Sequence, residues 1–307
     1  MTNISMLLRE YINALVLNIN YEKLPKEIDL VFSGGALNGI YGLGILYYIR
    51  ALENHNLTKV IRVSGCSIGA LLALWYIKNS DKDMDSLFTE IVLNFKKNLN
   101  FKKYQENIKK IVNEFFIDDN KIQSLNNRLY ISFYDMKKGK QKTVCRYKSK
   151  EYLIDCLLRS SHIPRLTDGN LRYKKRYIDG ITPYIFRNSG REILIIELMT
   201  AKKIMRSFIF KREINTYFRL LEGVSDASNF FSDGYSNMCK YYRDWSYKDI
   251  LIHRSKELFV FFIFSLIELF FTCKNYIPEH FKKTTFYHGL IKVINELFKD
   301  TFIRIIT

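Results

Sequence analysis

Paired cysteines, clustered histidines and long apolar runs are what this 307-residue chain lacks. Its five cysteines (Cys66, Cys145, Cys156, Cys239, Cys273) are scattered and form no C-x-x-C pair, and there are only five histidines. That argues against a zinc site and against a disulfide framework, and points to a reducing compartment. Proline is scarce, at four residues. The N-terminus has no basic segment followed by an apolar core and a small-residue cleavage site, so no secretory signal is expected. No G-K-[ST] follows a glycine loop, which excludes a P-loop, and no G-x-G-x-x-G spacing marks a dinucleotide fold. The longest apolar run, Leu258–Phe271, is shorter than the roughly 20 residues that cross a bilayer, and it contains Glu268. A helix buried against the domain is the first reading of that run, an interfacial segment the second. A membrane span near 258–273 is not favoured.

What the chain does have is apolar content of 48%, enough for a substantial core, and a formal charge of +17. Such a charge attracts something anionic, a membrane surface or nucleic acid. Abundant Lys, Ile, Asn, Phe and Tyr beside scarce Pro read as the codon bias of an AT-rich genome, which inflates the Lys count. No helix-turn-helix, zinc or RNA-recognition pattern accompanies the charge, so nucleic acid is not an expected partner.

Two strand–turn–helix units dominate the first third. Ile28–Phe32 reads as a buried strand running into Ser33-Gly34-Gly35-Ala36-Leu37-Asn38-Gly39 and then a helix from Ile40 to about Glu53. Such a glycine loop can form an anion or oxyanion site from backbone N–H groups. The second strand, from Val60, enters Gly65-Cys66-Ser67-Ile68-Gly69 and then the helix-compatible run from Ala70 to Tyr76. This G-x-S-x-G sits in the context that defines a nucleophile elbow. Side chains at Gly65 or Gly69 would collide with neighbouring backbone. Ser67 would stand at a helix N-terminus, where developing negative charge is favoured. Two such units in succession imply a parallel sheet covered by helices.

Further along, Ile4 to Leu15 fall at helical spacing, predicting an amphipathic helix packed on the domain. Residues 81–128 read as mostly helical. Tyr130–Phe133 and Thr143–Tyr147 read as strands joined by a turn at 137–140, Glu151–Arg159 as a helix, and Leu171–Ile178 and Glu192–Leu198 as strands. From about residue 201 the chain becomes helical, basic and aromatic. The expected division is therefore 1–24, an N-terminal helix; 25–200, the catalytic domain; and 201–307, a helical region that associates with membranes in one reading.

A serine nucleophile needs a base. His162, in Ser160-Ser161-His162-Ile163-Pro164, is the one histidine in a suggestive loop, and a plain loop residue before a proline is the blander reading. Of three Asp-Gly dipeptides, Asp168-Gly169 looks like a hairpin turn and Asp233-Gly234 like a helix break. Asp179-Gly180 ends a strand and leads into Ile181-Thr182-Pro183, where a carboxylate could take the serine proton or merely cap a turn. The ordinary aspartate pKa of about 3.9 makes a weak base, which burial would strengthen.

Taken in order, the Ser33–Gly39 loop, the Gly65–Gly69 elbow and Asp179-Gly180 resemble the patatin-like phospholipases, and Ser160–Pro164 resembles the segment before that family's aspartate strand. The resemblance covers roughly residues 25–200. It implies an α/β three-layer sandwich with a mainly parallel central sheet and a helical C-terminal region. It also implies a Ser67–Asp179 dyad without a catalytic histidine and an oxyanion hole from Gly34, Gly35 and Ala36. Gly39 and Gly180 support the motifs, and neither cofactor nor metal is implied. The reaction would be ester hydrolysis on phospholipid or acylglycerol through an acyl-enzyme. Membrane lipid is then the substrate and an anionic membrane surface the partner, with the protein cytoplasmic or peripherally membrane-associated. Ala36 in place of the third loop glycine, Asn38 in place of a basic residue, and Ile181 after Asp179-Gly180 depart from the family pattern. They motivate the alternative, a catalytically decayed patatin-like scaffold that binds membranes or partners.

Overall fold

The computed structural model describes residues 3–19, 24–35, 38–78, 90–91, 102–116, 119–164, 167–180, 182–187, 190–199, 216–274, 276–289 and 291–292. The chain divides into two compact units, Met1–Thr200 with Ile214–Ser246, and Ala201–Glu213 with Tyr247–Thr307.

The first unit is built on a seven-stranded sheet. Its parallel centre comprises β1 (Glu27–Phe32), β2 (Lys59–Cys66), β3 (Leu129–Asp135) and β6 (Glu192–Ile196). Antiparallel β4 (Lys140–Val144) and β7 (Cys239–Tyr241) close the edges, giving the order β4-β3-β2-β1-β6-β7. The two-residue β5 (Tyr177–Ile178) adds to β3. β1 is apolar and buried at five consecutive positions, as a strand covered on both faces must be, apart from Asp29. Asp29 is fully buried and takes Arg62 from β2 and Arg191 Nε (3.4 Å) from the approach to β6, fastening three strands at one end.

Helices lie on both sides of the sheet. They are α1 (Asn3–Leu17), α2 (Gly39–Asn54), α3 (Ile68–Lys78), α4 (Lys102–Phe115), α5 (Lys150–Ser160) and α6 (Thr216–Asp233). This is the three-layer α/β architecture with a mainly parallel sheet. α3 is buried at every position from Ile68 to Tyr76, so the helix after the elbow is a core element. α1 buries Leu8, Ile12 and Val16, while Met6, Leu7 and Tyr11 stay exposed.

Two expectations are revised. A strand over 171–178 is reduced to Tyr177–Ile178, because Lys174 and Lys175 adopt positive φ (49° and 56°) and turn the chain. The change of composition at 201 does not end the first unit. α6 buries Leu220, Val224, Ala227, Phe230 and Phe231, and β7 continues the sheet beside β6. Of the 81–128 segment, α4 and a 3-10 turn at Asp119–Leu125 are helical, and residues 81–89 and 92–101 lie outside the described residues.

β5 is too short to hold its place by ladder hydrogen bonds alone. A partly buried ion pair secures it. Asp135, at the end of β3, is fully buried and accepts from Arg176 Nε (2.9 Å) and Nη2 (2.7 Å), with Lys142 Nζ at 3.7 Å. The Met136 N–H also donates to the Arg176 carbonyl at 3.0 Å. Arg176 holds the Asp135 carboxyl well below its ordinary range, at about 2. A depressed folded pKa stabilises the fold above the unfolded value near 3.8, and that stabilisation is lost as pH falls through about 2. Asp135→Asn should therefore lower the melting temperature at pH 7 by a few degrees, with the deficit shrinking as the pH is lowered. A deficit independent of pH, read by thermal denaturation, would assign Asp135 a packing role only.

In the second unit, α7 (Tyr247–Lys274) is followed by the short α8 (Glu279–Lys282). Among the described residues no helix is long and apolar enough to cross a membrane.

Candidate active site

β2 runs straight into a sharp turn. Ser67 sits there at φ +54°, in the left-handed region that non-glycine residues seldom occupy, and α3 starts at the next residue. The turn has no spare room. A Cβ on Gly65 would lie 2.3 Å from the Gly69 carbonyl oxygen, and one on Gly69 would lie 2.7 Å from that of Ser33. The elbow is thus pressed both on itself and on the end of β1. Strain of this kind persists only where surrounding structure enforces it, and it concentrates at functional sites.

The strand topology delivers a carboxylate to the same point. β2 pairs with β3 only as far as Cys66 opposite Ser132, because the chain turns away at Ser67. β5 occupies the edge of β3 further on, antiparallel, with Ile178 opposite Tyr134. β2 therefore approaches from one end and β5 from the other, and they meet at Ser67 and Asp179. Continuing the β5 register puts Gly180 against Ser132. A Cβ on Gly180 would be 2.1 Å from the Ser132 carbonyl oxygen and 2.7 Å from Cys66 Cβ. At the meeting point Ser67 Oγ donates to Asp179 Oδ2 at 2.7 Å. The two residues are separated by 112 positions in sequence. Burial raises the Asp179 pKa from 3.8 to about 8, and the hydrogen bond from Ser67 only partly offsets it.

The glycine loop lies against the serine. A Cβ on Gly34 would come within 3.3 Å of Ser67 Cβ and 3.6 Å of Cys66 Sγ. Gly35 is pressed on Leu198, which a Cβ would meet at 2.4 Å, and its carbonyl accepts from the Asn38 N–H at 2.8 Å. Gly39 opens α2. Ala36 and Ile181, two of the departures from the family pattern, lie outside the described residues.

Ser160 joins both halves of the site. Fully buried, it takes the Ser67 N–H on its Oγ (2.9 Å) and its carbonyl (3.1 Å), and its hydroxyl donates to the Ser132 carbonyl at 2.6 Å. The Ser160 carbonyl also accepts from the Gly180 N–H at 3.1 Å. One residue thus fixes the backbone beside Ser67 and beside Asp179. His162 enters differently. Its carbonyl accepts from the Asp179 N–H at 2.9 Å, whereas its fully buried imidazole is directed to Asp168, with Nδ1 3.9 Å from Oδ1. Desolvation lowers the His162 pKa, which favours the neutral ring. Tyr104 of α4 is also part of the surroundings. Its phenol is buried, and burial together with the Asp179 charge pushes its pKa up. Sequence reasoning gave no role to Ser160, Asp135, Arg176 or Tyr104. For Ser160 a signal existed, since it opens the Ser-Ser-His-Ile-Pro segment. Tyr104 sits unmarked in a Lys-rich amphipathic helix.

A serine held at a strained strand–helix turn, with a carboxylate on its hydroxyl and a helix N-terminus behind it, is the nucleophile-elbow geometry of α/β hydrolytic enzymes. Residues 30–188, just over half of the chain, match the family model described as patatin-like phospholipase. The chain belongs to the patatin-like phospholipase family, and the family is one of lipid acyl hydrolases. No curated protein matches it.

Proposed function

We propose that this protein cleaves the ester bonds of membrane lipids with Ser67 as nucleophile and Asp179 as its general base. The observation that carries the reading is the 2.7 Å hydrogen bond from Ser67 Oγ to Asp179 Oδ2 at the strained elbow. Ser67 Oγ attacks the ester carbonyl carbon as its proton passes to Asp179. The tetrahedral oxyanion is met by backbone N–H groups of the Gly34-Gly35-Ala36 loop. The Ser67 N–H is already committed to Ser160, which is why the hole is assigned to that loop. Collapse of the intermediate breaks the ester C–O bond, and protonated Asp179 gives its proton to the departing alcohol. Water, deprotonated by Asp179, then attacks the acyl-enzyme; the bond from the acyl carbon to Ser67 Oγ breaks, protonated Asp179 returns its proton to Oγ, and the fatty acid is released. A base with a pKa near 8 suits this work far better than an ordinary aspartate, because base and reacting hydroxyl are closer in affinity for the proton.

The test is turnover by the purified protein. It should release p-nitrophenol from a medium-chain p-nitrophenyl ester and fatty acid from anionic phospholipid vesicles. Silence on both substrates from the folded chain would overturn the reading in favour of the decayed scaffold.

Ser160 is assigned a positioning role. Ser160→Ala removes its hydroxyl contacts to the Ser67 N–H and the Ser132 carbonyl and leaves the bond from Gly180 intact. The expected result is a roughly 10–100-fold fall in kcat, with KM and melting temperature little changed. A matching loss of melting temperature with kcat preserved would make Ser160 a structural residue alone.

A further inference from the structure

We propose that α7 is an in-plane anchor that seats the protein on an anionic bilayer surface, its apolar stripe lying in the acyl boundary. The proposal rests on the lipid-hydrolase reading for the reason a bilayer is met, but not for the contact itself.

Between Leu258 and Phe271 the helix carries only two polar residues, Ser265 and Glu268. A helix apolar on nearly all sides needs apolar surroundings nearly all round. Along one side of α7 the described side chains lack them. Leu258, Phe262, Leu266 and Leu269 are 69%, 57%, 43% and 59% exposed, and Leu251, two turns earlier, is exposed as well. Their spacing of seven, four, four and three residues places all five on one side of the helix. The stripe from Leu251 to Leu269 is roughly 27 Å long at helical rise. Glu257 and Glu268 fall off this spacing. A continuous line of large apolar side chains in water marks an interaction surface.

Two observations choose a bilayer as the occupant. The first is charge. Exposed Lys248 and Arg254 stand at the N-terminal end of the stripe, and exposed Lys283 and Lys292 follow its C-terminal end. Glu279, the exposed acid in that stretch, is held by Lys282 Nζ at 2.7 Å. Cations at both ends of an apolar line match anionic headgroups beside acyl chains, whereas a second copy of the same stripe would bring like charges together. The second is length. The apolar run Leu258–Phe271, broken by Ser265 and Glu268, spans roughly 21 Å, short of the roughly 30 Å of a hydrocarbon core, so the helix fits in the interface plane and does not cross it.

The experiment is vesicle flotation of the full chain in the Ser67→Ala background, with phosphatidylcholine vesicles and with equimolar phosphatidylcholine and phosphatidylglycerol. The chain should float with the anionic vesicles, weakly with the neutral ones, and less as salt is raised. Phe262→Ser combined with Leu269→Ser should cut the partition coefficient by roughly tenfold or more. Because both side chains are exposed, that variant should keep the wild-type melting temperature. In a chain with native Ser67 it should also keep wild-type turnover of a soluble p-nitrophenyl ester. Arg254→Glu with Lys283→Glu, which spares the stripe, should abolish the preference for anionic vesicles. Three results would overturn the proposal: undiminished flotation of the double-serine variant, equal binding to both vesicle types, or no flotation with a dimer that the double-serine substitution dissociates. Flotation without ester turnover would sink the hydrolase reading and leave the anchor standing. Turnover without flotation would do the reverse.

Discussion

Ser67→Ala is expected to lower ester turnover by at least roughly 10⁴-fold, the scale on which a nucleophile is lost from a unit of coupled groups. The fold should survive, because alanine occupies the same turn at φ +54° with no larger side chain. The substitution has a second, quieter consequence. The hydrogen bond from Ser67 is what partly offsets the effect of burial on Asp179. Without it the carboxyl should titrate above its value of about 8 in the native protein. A carboxyl-specific infrared or NMR titration of the two proteins reads this directly. An unchanged Asp179 titration would mean that the hydroxyl and carboxylate are not in contact in solution.

Asp179→Asn should reduce kcat/KM by about 10²–10⁴-fold, the usual range for a general base. The amide can still accept from the Ser67 hydroxyl but cannot take its proton. In the native protein kcat/KM should rise with pH along a limb near 8, since only the ionised carboxylate acts as base. That limb should vanish in the variant. Stability moves the other way. The folded state holds the Asp179 proton more tightly than the unfolded state, so its stabilisation is complete below about 3.8 and is lost as pH rises through about 8. Asparagine escapes that loss. The variant should therefore gain in melting temperature relative to the native protein at pH 9, and little at pH 4. A variant less stable at pH 9, with a pH–rate limb still present, would remove Asp179 from the base role.

The parts of this architecture written in contiguous residues were legible in the sequence. β1 with its glycine loop and β2 with its elbow are local patterns, in which apolar runs meet glycines and then helix-compatible residues. The helix read over 151–159 and the turn around Gly139 were equally local, although the strand after that turn is Lys140–Val144 where 143–147 was expected. What was not legible depends on register between distant strands. Asp179 meets Ser67 because β2 leaves the edge of β3 at Cys66 and β5 takes it over at Tyr134. No periodicity in Tyr177–Ile178 announces this, since a two-residue strand has no pattern to read. It is secured by the Asp135–Arg176 pair, two residues that look like ordinary surface charges in the sequence. Ser160 belongs to the same class, because its partners lie 28 and 93 positions away. The change in composition at residue 201 reflects aromatic and basic content, whereas the sheet ignores it and extends to Tyr241 through the buried face of α6.

The most direct measurement is covalent trapping. The purified protein is incubated with an alkyl fluorophosphonate, and the adduct is located by peptide mass spectrometry over a pH series. One adduct is expected, on the peptide holding Ser67, with a rate that climbs through pH 8 and collapses in Asp179→Asn. An adduct on any other residue, or ester turnover that persists while Ser67 remains unmodified, would contradict the account.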